Sequence, residues 1–283
     1  MKTSKTGSST VGFCDQFVTI NSYGKEADEL IDFLCLDLQK GTVGHGRAEY
    51  DLVVAGTESK FTLFHEEKEL YSGTCQYDLA YTLINEILHH CIVDNDKGIV
   101  IHAAAIGTEN YGVLLPGTSG AGKSTFTTWL VSCGCNYLTD ELVVLLDKDR
   151  RILPFTRPLS IKKGSVNVLS SFLNIDSKDV ITGSSGFMMP HRLVNDSFFA
   201  NTPPLSLILF PVYTAGAVTQ LTKLSSALGC ARLIECYVNA RNFKGHGIAD
   251  LAKFTRTTPI YQLCYSSFDG LQDVLSTSFP EMF

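Results

Sequence analysis

The chain has 283 residues, of which 45% are hydrophobic and 18% charged, as in an ordinary globular protein. Its formal net charge of -6 excludes a strongly basic surface for binding nucleic acid. No apolar run is long enough to span a bilayer, and the N-terminus lacks the apolar segment of a signal peptide. We therefore expect a cytoplasmic protein with neither nucleic acid nor a membrane as partner.

The N-terminal third of the chain predicts a disordered tail followed by a small domain. Residues 1–15 are small and polar and form the predicted tail, and residues 16–96 form a predicted α+β domain. Strands are indicated by the alternating segments QFVTINS, AEYDLVVAG and KFTLFHEEKELY. A first helix is predicted over KEADELIDFLCLDL. A second follows, with one helical face formed by Tyr77, Tyr81, Ile84, Leu88 and Cys91.

Residues 97–283 predict a nucleotide-binding domain. Two antiparallel strands, GIVIHAAAI and GVLLPG, lead into a glycine-rich loop and a helix that ends near Val131. The segment CNYLTDELVVLL then runs on as a strand, and DKDRRILPF predicts a hairpin turn with a return strand. Later elements are strands at LSLILF, AVTQLTKL and PIYQLCY, and a helix from Ser225 to about Val238.

The glycine-rich loop GTSGAGKS fits the phosphate-binding pattern G-x-x-x-x-G-K-[ST]. Its glycines allow backbone N–H groups to turn inward, and the following helix adds its positive N-terminal end. Lys123 can reach the β- and γ-phosphates, and the Ser124 hydroxyl can bind Mg²⁺. The pattern predicts binding of ATP, or another nucleoside triphosphate, with Mg²⁺. The predicted contacts are Gly117, Thr118, Ser119, Gly120, Ala121, Gly122, Lys123, Ser124 and Thr125.

Two adjacent acids, Asp140 and Glu141, follow the loop after one helix and one turn. They should lie at the end of the next strand, beside the loop, where one could bind the metal and the other accept a proton. Alternatively, both line a turn and Asp147 supplies the metal ligand, although Asp147 leads into a predicted exposed hairpin tip. His102 interrupts an apolar strand, and by spacing alone it is more typical of a packed residue than of a catalytic one.

The segments IHAAAI, GVLLPGTSGAGKST, YLTDELVVL and RPLSIKKGS, in this order, resemble the kinase domain of HPr kinase/phosphorylase and its relatives over residues 97–170. The resemblance implies an α/β fold: a P-loop kinase domain of HPr-kinase type with a mixed sheet, here preceded by the small α+β domain. It also implies that His102 lies near the transferred phosphate. The first acid, Asp140, would be the general base towards an accepting serine, and Glu141 would belong to the metal site.

The second acid is usually an aspartate in this family, so Glu141 is a departure. HPr kinases proper carry a basic segment near the C-terminus that docks HPr, and no basic run here matches it. The N-terminal unit also differs from theirs. The chain therefore looks more like the HPr-kinase-related enzymes of ribosomal peptide clusters, such as lasso-peptide kinases, which phosphorylate a C-terminal serine. We expect ATP-dependent phosphorylation of a serine in a peptide or small protein. Open alternatives are a nucleotide-binding regulatory module and a small-metabolite kinase. The resemblance also implies a homo-oligomer, because HPr kinases form hexamers.

A C-terminal serine would bring its carboxylate close to two acids and a triphosphate. That anion needs a cation to offset the repulsion. The candidates, in order, are Arg157, Lys162 and Arg192. The first two follow the acid pair by one hairpin, and Arg192 follows TGSSGF, a stretch with the composition of a flexible lid.

Overall fold

The structure, a computed structural model, divides into two units. It describes residues 4–42, 48–55, 59–118, 120–146, 150–170, 173, 178–197 and 202–283. The first unit holds the described residues up to Asn95, Ser160–Gly164 and the described part of Ile175–Pro190. The second holds the described residues of Asp96–Leu159, Ser165–Asn174 and His191–Phe283. The chain passes from the first unit to the second after Asn95, and two later segments return to the first unit.

The first unit contains a sheet of six strands and two helices. The strands are β1 (Gly7–Phe13), β2 (Gln16–Tyr23), β3 (Gln39–Lys40), β4 (Ala48–Ala55), β5 (Lys60–His65) and β6 (Lys68–Gly73). The helices are α1 (Lys25–Cys35) and α2 (Gln76–Ile92). The strand order is β3-β1-β2-β4-β5-β6, and β2 and β4 are the parallel pair. This unit is the α+β arrangement expected from the alternating segments.

The expected disordered tail is wrong for Gly7–Phe13, which forms β1. This strand pairs antiparallel with β2, with Val11 opposite Val18, and it buries both Val11 and Phe13. Cys14 and Asp15 form the connecting turn with φ of 56° and 58°, the positive values of a two-residue hairpin turn. Because Cys-Asp lacks the glycine usual at such turns, the hairpin has a weak local signal.

Helix α2 forms as predicted, but one residue of its expected buried face is exposed. Tyr77, Ile84, Leu88 and Cys91 are buried, whereas Tyr81 is 50% exposed. The apolar face of α2 is therefore narrower than the sequence pattern indicates.

The remaining elements begin at Gly98. In chain order they are β7 (Gly98–Gly107), β8 (Gly112–Pro116), α3 (Lys123–Ser132), β9 (Asn136–Thr139), β10 (Leu142–Leu146), β11 (Ile152–Leu153), β12 (Leu159–Lys162), α4 (Val166–Leu169), β13 (Ile181–Thr182), β14 (Gly186–Met189), β15 (Leu205–Tyr213), β16 (Gln220–Lys223), α5 (Ser226–Ile234), α6 (Ile248–Thr257), β17 (Ile260–Tyr265) and α7 (Leu271–Ser278). Strands β12, β14 and β13 form a small sheet of their own. In the described residues, no helix combines the length and apolar character that crossing a bilayer requires.

The large sheet of the second unit is mixed, as expected. Its order is β11-β10-β7-β8-β15-β17-β16, and β9 also pairs with β7. Strand β15 runs parallel to both β8 and β17, while β7 runs antiparallel to β8. The antiparallel arrangement of β7 and β8 confirms the prediction for the strand that carries His102.

The two faces of β7 have different neighbours. Ile101 and Ala103 belong to the core cluster that also contains Leu233 of α5 and Phe254 of α6. Because side chains alternate along a strand, His102 points to the opposite face. The odd-numbered residues of β7 therefore pack under two helices. The side chain of His102 lies on the other face of the sheet, where it contacts Lys123 at the start of α3.

Candidate functional site

The glycine-rich loop lies between β8 and α3, the strand–loop–helix context that the motif predicts. Gly120 and Gly122 have φ of 89° and 84°, in the left-handed region that glycine adopts without strain. The backbone N–H of Ala121 donates to the carbonyl of Thr118 at 3.2 Å, which closes a tight turn. Ser119 lies outside the described residues. Gly120 and Gly122 therefore have backbone angles that suit a phosphate-binding nest.

Lys123, the first residue of α3, is 6% exposed, and its ammonium group is held by three acceptors. The Nζ atom lies 2.7 Å from the carbonyl oxygen of Gly117, 3.1 Å from that of Thr118 and 3.2 Å from Nε2 of His102. A lysine ammonium can only donate, so Nε2 of His102 accepts this bond. The neutral imidazole then carries its proton on Nδ1.

His102 connects the loop to the acid pair. Its Nδ1 lies 3.6 Å from Oε1 of Glu141, and its backbone N–H donates to the carbonyl of Cys236 at 2.8 Å. Burial lowers the pKa of His102 below its ordinary value, and the charge of Lys123 lowers it further, although Glu141 and Asp140 oppose the shift. The histidine is therefore neutral, with its N–H directed towards a carboxylate.

The acid pair interrupts what the sequence predicts as one continuous strand. Strands β9 and β10 both pair with β7, with Thr139 opposite Ala105 and Leu142 opposite His102. Asp140 and Glu141 lie at the break between the two strands. This register brings Glu141 to the neighbourhood of His102, so the predicted location of the acids beside the loop agrees with the contacts.

Asp140 is buried, and its two carboxylate oxygens differ in their contacts. Oδ1 accepts a hydrogen bond from the Tyr137 hydroxyl at 2.9 Å. Burial and the charge of Asp140 raise the pKa of Tyr137, which keeps that hydroxyl protonated and able to donate. Oδ2 is buried and has no hydrogen-bond partner among the described residues. A buried, unpartnered carboxylate oxygen is costly and is characteristic of functional sites.

Arg157 pairs with both acids of this site. Its Nη2 lies 2.9 Å from Oδ1 of Asp140 and 3.0 Å from Oε2 of Glu141, and the side chain is 3% exposed. The expected role of Arg157 as a clamp for a substrate carboxylate does not agree with this geometry. A substrate carboxylate would have to approach a buried guanidinium that already pairs with two acids.

The other predicted residues are placed as follows. Thr125 has its hydroxyl 2.7 Å from that of Ser165, and Ser124 is half-buried in the first turn of α3. Lys162 is exposed at the end of β12, in the first unit. Arg192 is half-buried in the short turn His191–Leu193 of the second unit. Asp147, the alternative metal ligand, lies outside the described residues.

Sequence reasoning missed Tyr137 and His191. The two rings stack with centroids 5.1 Å apart and an interplanar angle of 28°, and both residues are buried. Tyr137 and Asp140 are three positions apart, so in an unbroken strand their side chains would point to opposite faces. The break in the strand after Thr139 brings the side chains of Tyr137 and Asp140 together. No local sequence pattern predicts that break.

The oxygen atoms here suit a hard cation bound together with a nucleotide. In the described residues, no three His, Cys, Asp or Glu side chains are arranged to hold a metal by themselves. Mg²⁺ needs fewer, because it is usually bound by one or two carboxylates, waters and substrate phosphates. The carboxylate of Glu141 is 27% exposed, and the hydroxyl of Ser124 stands at the start of α3. These two residues fit Mg²⁺ bound with a triphosphate.

Comparison with known proteins finds a distant structural likeness. No protein-family model matches the chain, and no curated protein matches it. Among solved structures, the Hpr(Ser) kinase/phosphatase from Coxiella burnetii matches with 14% identity and a TM-score of 0.31, over 63% of this chain and 86% of that one. This likeness is too distant to assign a function.

Proposed function

We propose that the chain is an ATP- and Mg²⁺-dependent kinase of the HPr-kinase type that transfers the γ-phosphate to a serine hydroxyl of a peptide or small protein in the cytoplasm. One observation carries the proposal. Lys123 of the phosphate loop contacts His102, and His102 faces Glu141 of the acid pair. A phosphate-binding lysine and two carboxylates therefore belong to one connected site, as transfer to a hydroxyl requires.

In this proposal the loop binds the triphosphate. Lys123 exchanges the carbonyls of Gly117 and Thr118 for phosphate oxygens, and the N-terminus of α3 adds its partial positive charge. Ser124 and Glu141 would hold Mg²⁺, which would offset the charge of the β- and γ-phosphates. His102 lies next to both the lysine and the proposed metal-binding acid.

Asp140 is the proposed general base. The serine oxygen forms a bond to the γ-phosphorus, the bond from that phosphorus to the bridging oxygen breaks, and ADP leaves. The proton of the serine hydroxyl goes to Oδ2 of Asp140, the oxygen without a hydrogen-bond partner in the described part of the chain. Tyr137 and Arg157 hold Oδ1 and thereby fix the orientation of the carboxylate.

The exposure of the two acids favours a second assignment within the pair. The side chain of Asp140 is 0% exposed, so an acceptor reaches Oδ2 only after a local rearrangement, whereas Glu141 is 27% exposed. In this second assignment Glu141 accepts the proton and Asp140 orients Arg157. The two assignments predict different variants to be inactive.

The finer substrate proposal is the C-terminal serine of a lasso-peptide precursor. Its terminal carboxylate would need a cation close to the site. Because Arg157 is committed to the two acids, Arg192 and Lys162 are the remaining candidates for that role. By the same resemblance, we propose that the enzyme is a homo-oligomer, which static light scattering would test.

A nucleotide-binding regulatory module is the second candidate function. The complete burial of the Asp140 side chain favours it, because an acid used only to hold Arg157 would be buried in this way. Such a protein would bind nucleotide through the loop and hydrolyse it slowly or not at all.

The deciding experiment incubates the protein with γ-labelled ATP, Mg²⁺ and synthetic peptides that end in serine, in serine amide or in alanine. Label in the serine peptides and not in the alanine peptide would support a serine kinase. A strong preference for the free acid over the amide would support the C-terminal carboxylate. Nucleotide binding without label in any peptide would favour the regulatory module, or a kinase that acts on a small metabolite.

A further inference from the structure

The order of the large sheet indicates where the nucleoside of a bound nucleotide must lie. The phosphate loop follows β8, whose neighbours in the sheet are β7 on one side and β15 on the other. The backbone N–H of Ala103 in β7 donates to the carbonyl of Glu141, which places the acid pair on the first side. If the γ-phosphate points to the acids, as in the proposed function, the rest of the nucleotide extends towards β15 and β17. The inference below rests on that proposed function.

Two tyrosines stand at the ends of these strands. Tyr213 ends β15 and Tyr265 ends β17, and the two residues are direct partners in the parallel register. Since β8, β15 and β17 run parallel, their carboxyl ends meet at one edge of the sheet, where ligands of such sheets bind. A Cβ atom on Gly122 would lie 3.6 Å from Oη of Tyr265 and 4.0 Å from Cβ of Tyr213. Both tyrosines are therefore next to the phosphate loop.

The two tyrosines differ sharply in exposure. Tyr265 is 3% exposed and packs against Phe126 and Phe268, with ring centroids 5.3 Å and 5.9 Å away. Tyr213 lies edge-on to Tyr265 at 5.9 Å, yet it is 59% exposed. The exposed ring is thus the solvent-facing end of an aromatic cluster.

The backbone around Tyr213 is fixed by hydrogen bonds on its C-terminal side. The N–H of Thr214 donates to the carbonyl of Tyr265 at 2.9 Å, and the hydroxyl of Ser266 donates to the carbonyl of Ala217 at 2.7 Å. The backbone that carries the ring is therefore fixed, and the ring itself has its edge contact with Tyr265. An exposed aromatic ring held in this way loses little conformational entropy when a flat partner stacks on it.

We infer that Tyr213 forms the stacking surface for the base of the bound nucleotide. Every nucleobase has a π-face, so stacking tolerates a change of base. The inference therefore implies that ATP and GTP gain similar affinity from this ring. It also implies that inorganic tripolyphosphate, which has no base, gains none.

The test compares the binding of Mg·ATP, Mg·GTP and Mg·tripolyphosphate by isothermal titration calorimetry. The proteins are the wild type, Tyr213→Ala, Tyr213→Phe and the control Tyr81→Ala, which removes an exposed tyrosine of the first unit. Loss of one base–aromatic stack should weaken both nucleotides by about 5- to 100-fold in Tyr213→Ala. Tripolyphosphate should bind unchanged, and Tyr213→Phe and Tyr81→Ala should behave as the wild type does.

Three results would overturn the inference. In the first, Tyr213→Ala binds ATP as tightly as the wild type does, which leaves the phosphate loop and the proposed function intact. In the second, the variant loses affinity for tripolyphosphate as strongly as for ATP, which means that the substitution disturbs the loop. In the third, the wild type binds neither nucleotide nor tripolyphosphate, which also removes the proposed function.

Discussion

A single nitrogen of Arg157 serves both carboxylates of the acid pair. Its Nη2 lies 2.9 Å from Oδ1 of Asp140 and 3.0 Å from Oε2 of Glu141. Two adjacent carboxylates repel each other, and the guanidinium between them offsets that repulsion. Because the arginine is buried, solvent screens the attraction only weakly.

We expect Arg157→Ala to destabilise the protein through this pairing. Removing one partner of a buried ion pair leaves uncompensated charge, which costs about 3–5 kcal/mol of the free energy of unfolding. Urea denaturation measures the loss, with Arg241→Ala, at an exposed arginine of the second unit, as the control. Adding Asp140→Asn to Arg157→Ala should cost less than the sum of the single changes. Additive losses would mean that the two side chains are not coupled.

The ammonium of Lys123 is expected to dominate binding of the triphosphate. Charged hydrogen bonds contribute about 1.5–3 kcal/mol each, so Lys123→Met should weaken Mg·ATP by about 10- to 100-fold. The measurement is equilibrium binding of ATP, with Lys223→Met, at an exposed lysine of β16, as the control. Equal affinity in the wild type and in Lys123→Met would contradict the role of the loop.

Substituting each acid separately should distinguish the proposed base from the proposed metal ligand, because the two variants should lose different properties. We expect Asp140→Asn to bind Mg·ATP normally but to transfer phosphate about 10²- to 10⁴-fold more slowly, because the amide cannot take the proton. Glu141→Gln should instead raise the Mg²⁺ concentration needed for half-maximal transfer. Labelled-peptide assays over a range of Mg²⁺ concentrations measure both effects. If Asp140→Asn is active, and Glu141→Gln is inactive at every Mg²⁺ concentration, the base is Glu141.

Because the pKa of His102 is lowered in the folded protein, the free energy of unfolding should depend on pH in a specific way. Above the ordinary pKa of 6.5, the histidine is neutral in both the folded and the unfolded chain. In that range it does not make the free energy of unfolding depend on pH. As the pH falls through 6.5, the unfolded chain binds a proton that folded His102 does not, so the free energy of unfolding decreases. The loss levels off below the lowered pKa of the folded state.

Comparison with His102→Gln isolates this effect, because all other titrating groups are shared. Urea denaturation of both proteins between about pH 5 and pH 8 should show a steeper loss in the wild type on the acid side. Parallel curves would show that His102 titrates alike in the folded and unfolded chain.

The parts of the site that could be predicted are those encoded by local pattern. The apolar runs on either side of the glycine-rich loop predict β8 and α3, and a glycine motif with one lysine has few other uses. Asp140 and Glu141 follow one helix later, so their return to the loop needs only the usual strand–helix–strand connection. For the same reason, the antiparallel pairing of β7 and β8 was predictable from a short turn.

The parts that could not be predicted depend on packing between distant segments. Arg157 and His191 come from separate parts of the chain, and they meet Asp140 and Tyr137 only in the folded structure. The parallel placement of β15 between β8 and β17 likewise follows from how helices cover the sheet. The hydrophobic pattern within β15 does not predict which strands lie beside it. Strand β1 was missed because its small polar residues resemble a loop and its apolar positions are few.

The aromatic cluster beside the phosphate loop also makes the protein spectroscopically informative. Trp129, the one tryptophan of the chain, stacks on Phe268 with centroids 4.7 Å apart and ring planes 2° from parallel. All indole emission therefore originates on α3, the helix that begins at Lys123. Opening of the segment after β17 would expose this ring to water and shift its emission to the red. The molecule thus contains a built-in optical reporter of the phosphate-loop helix.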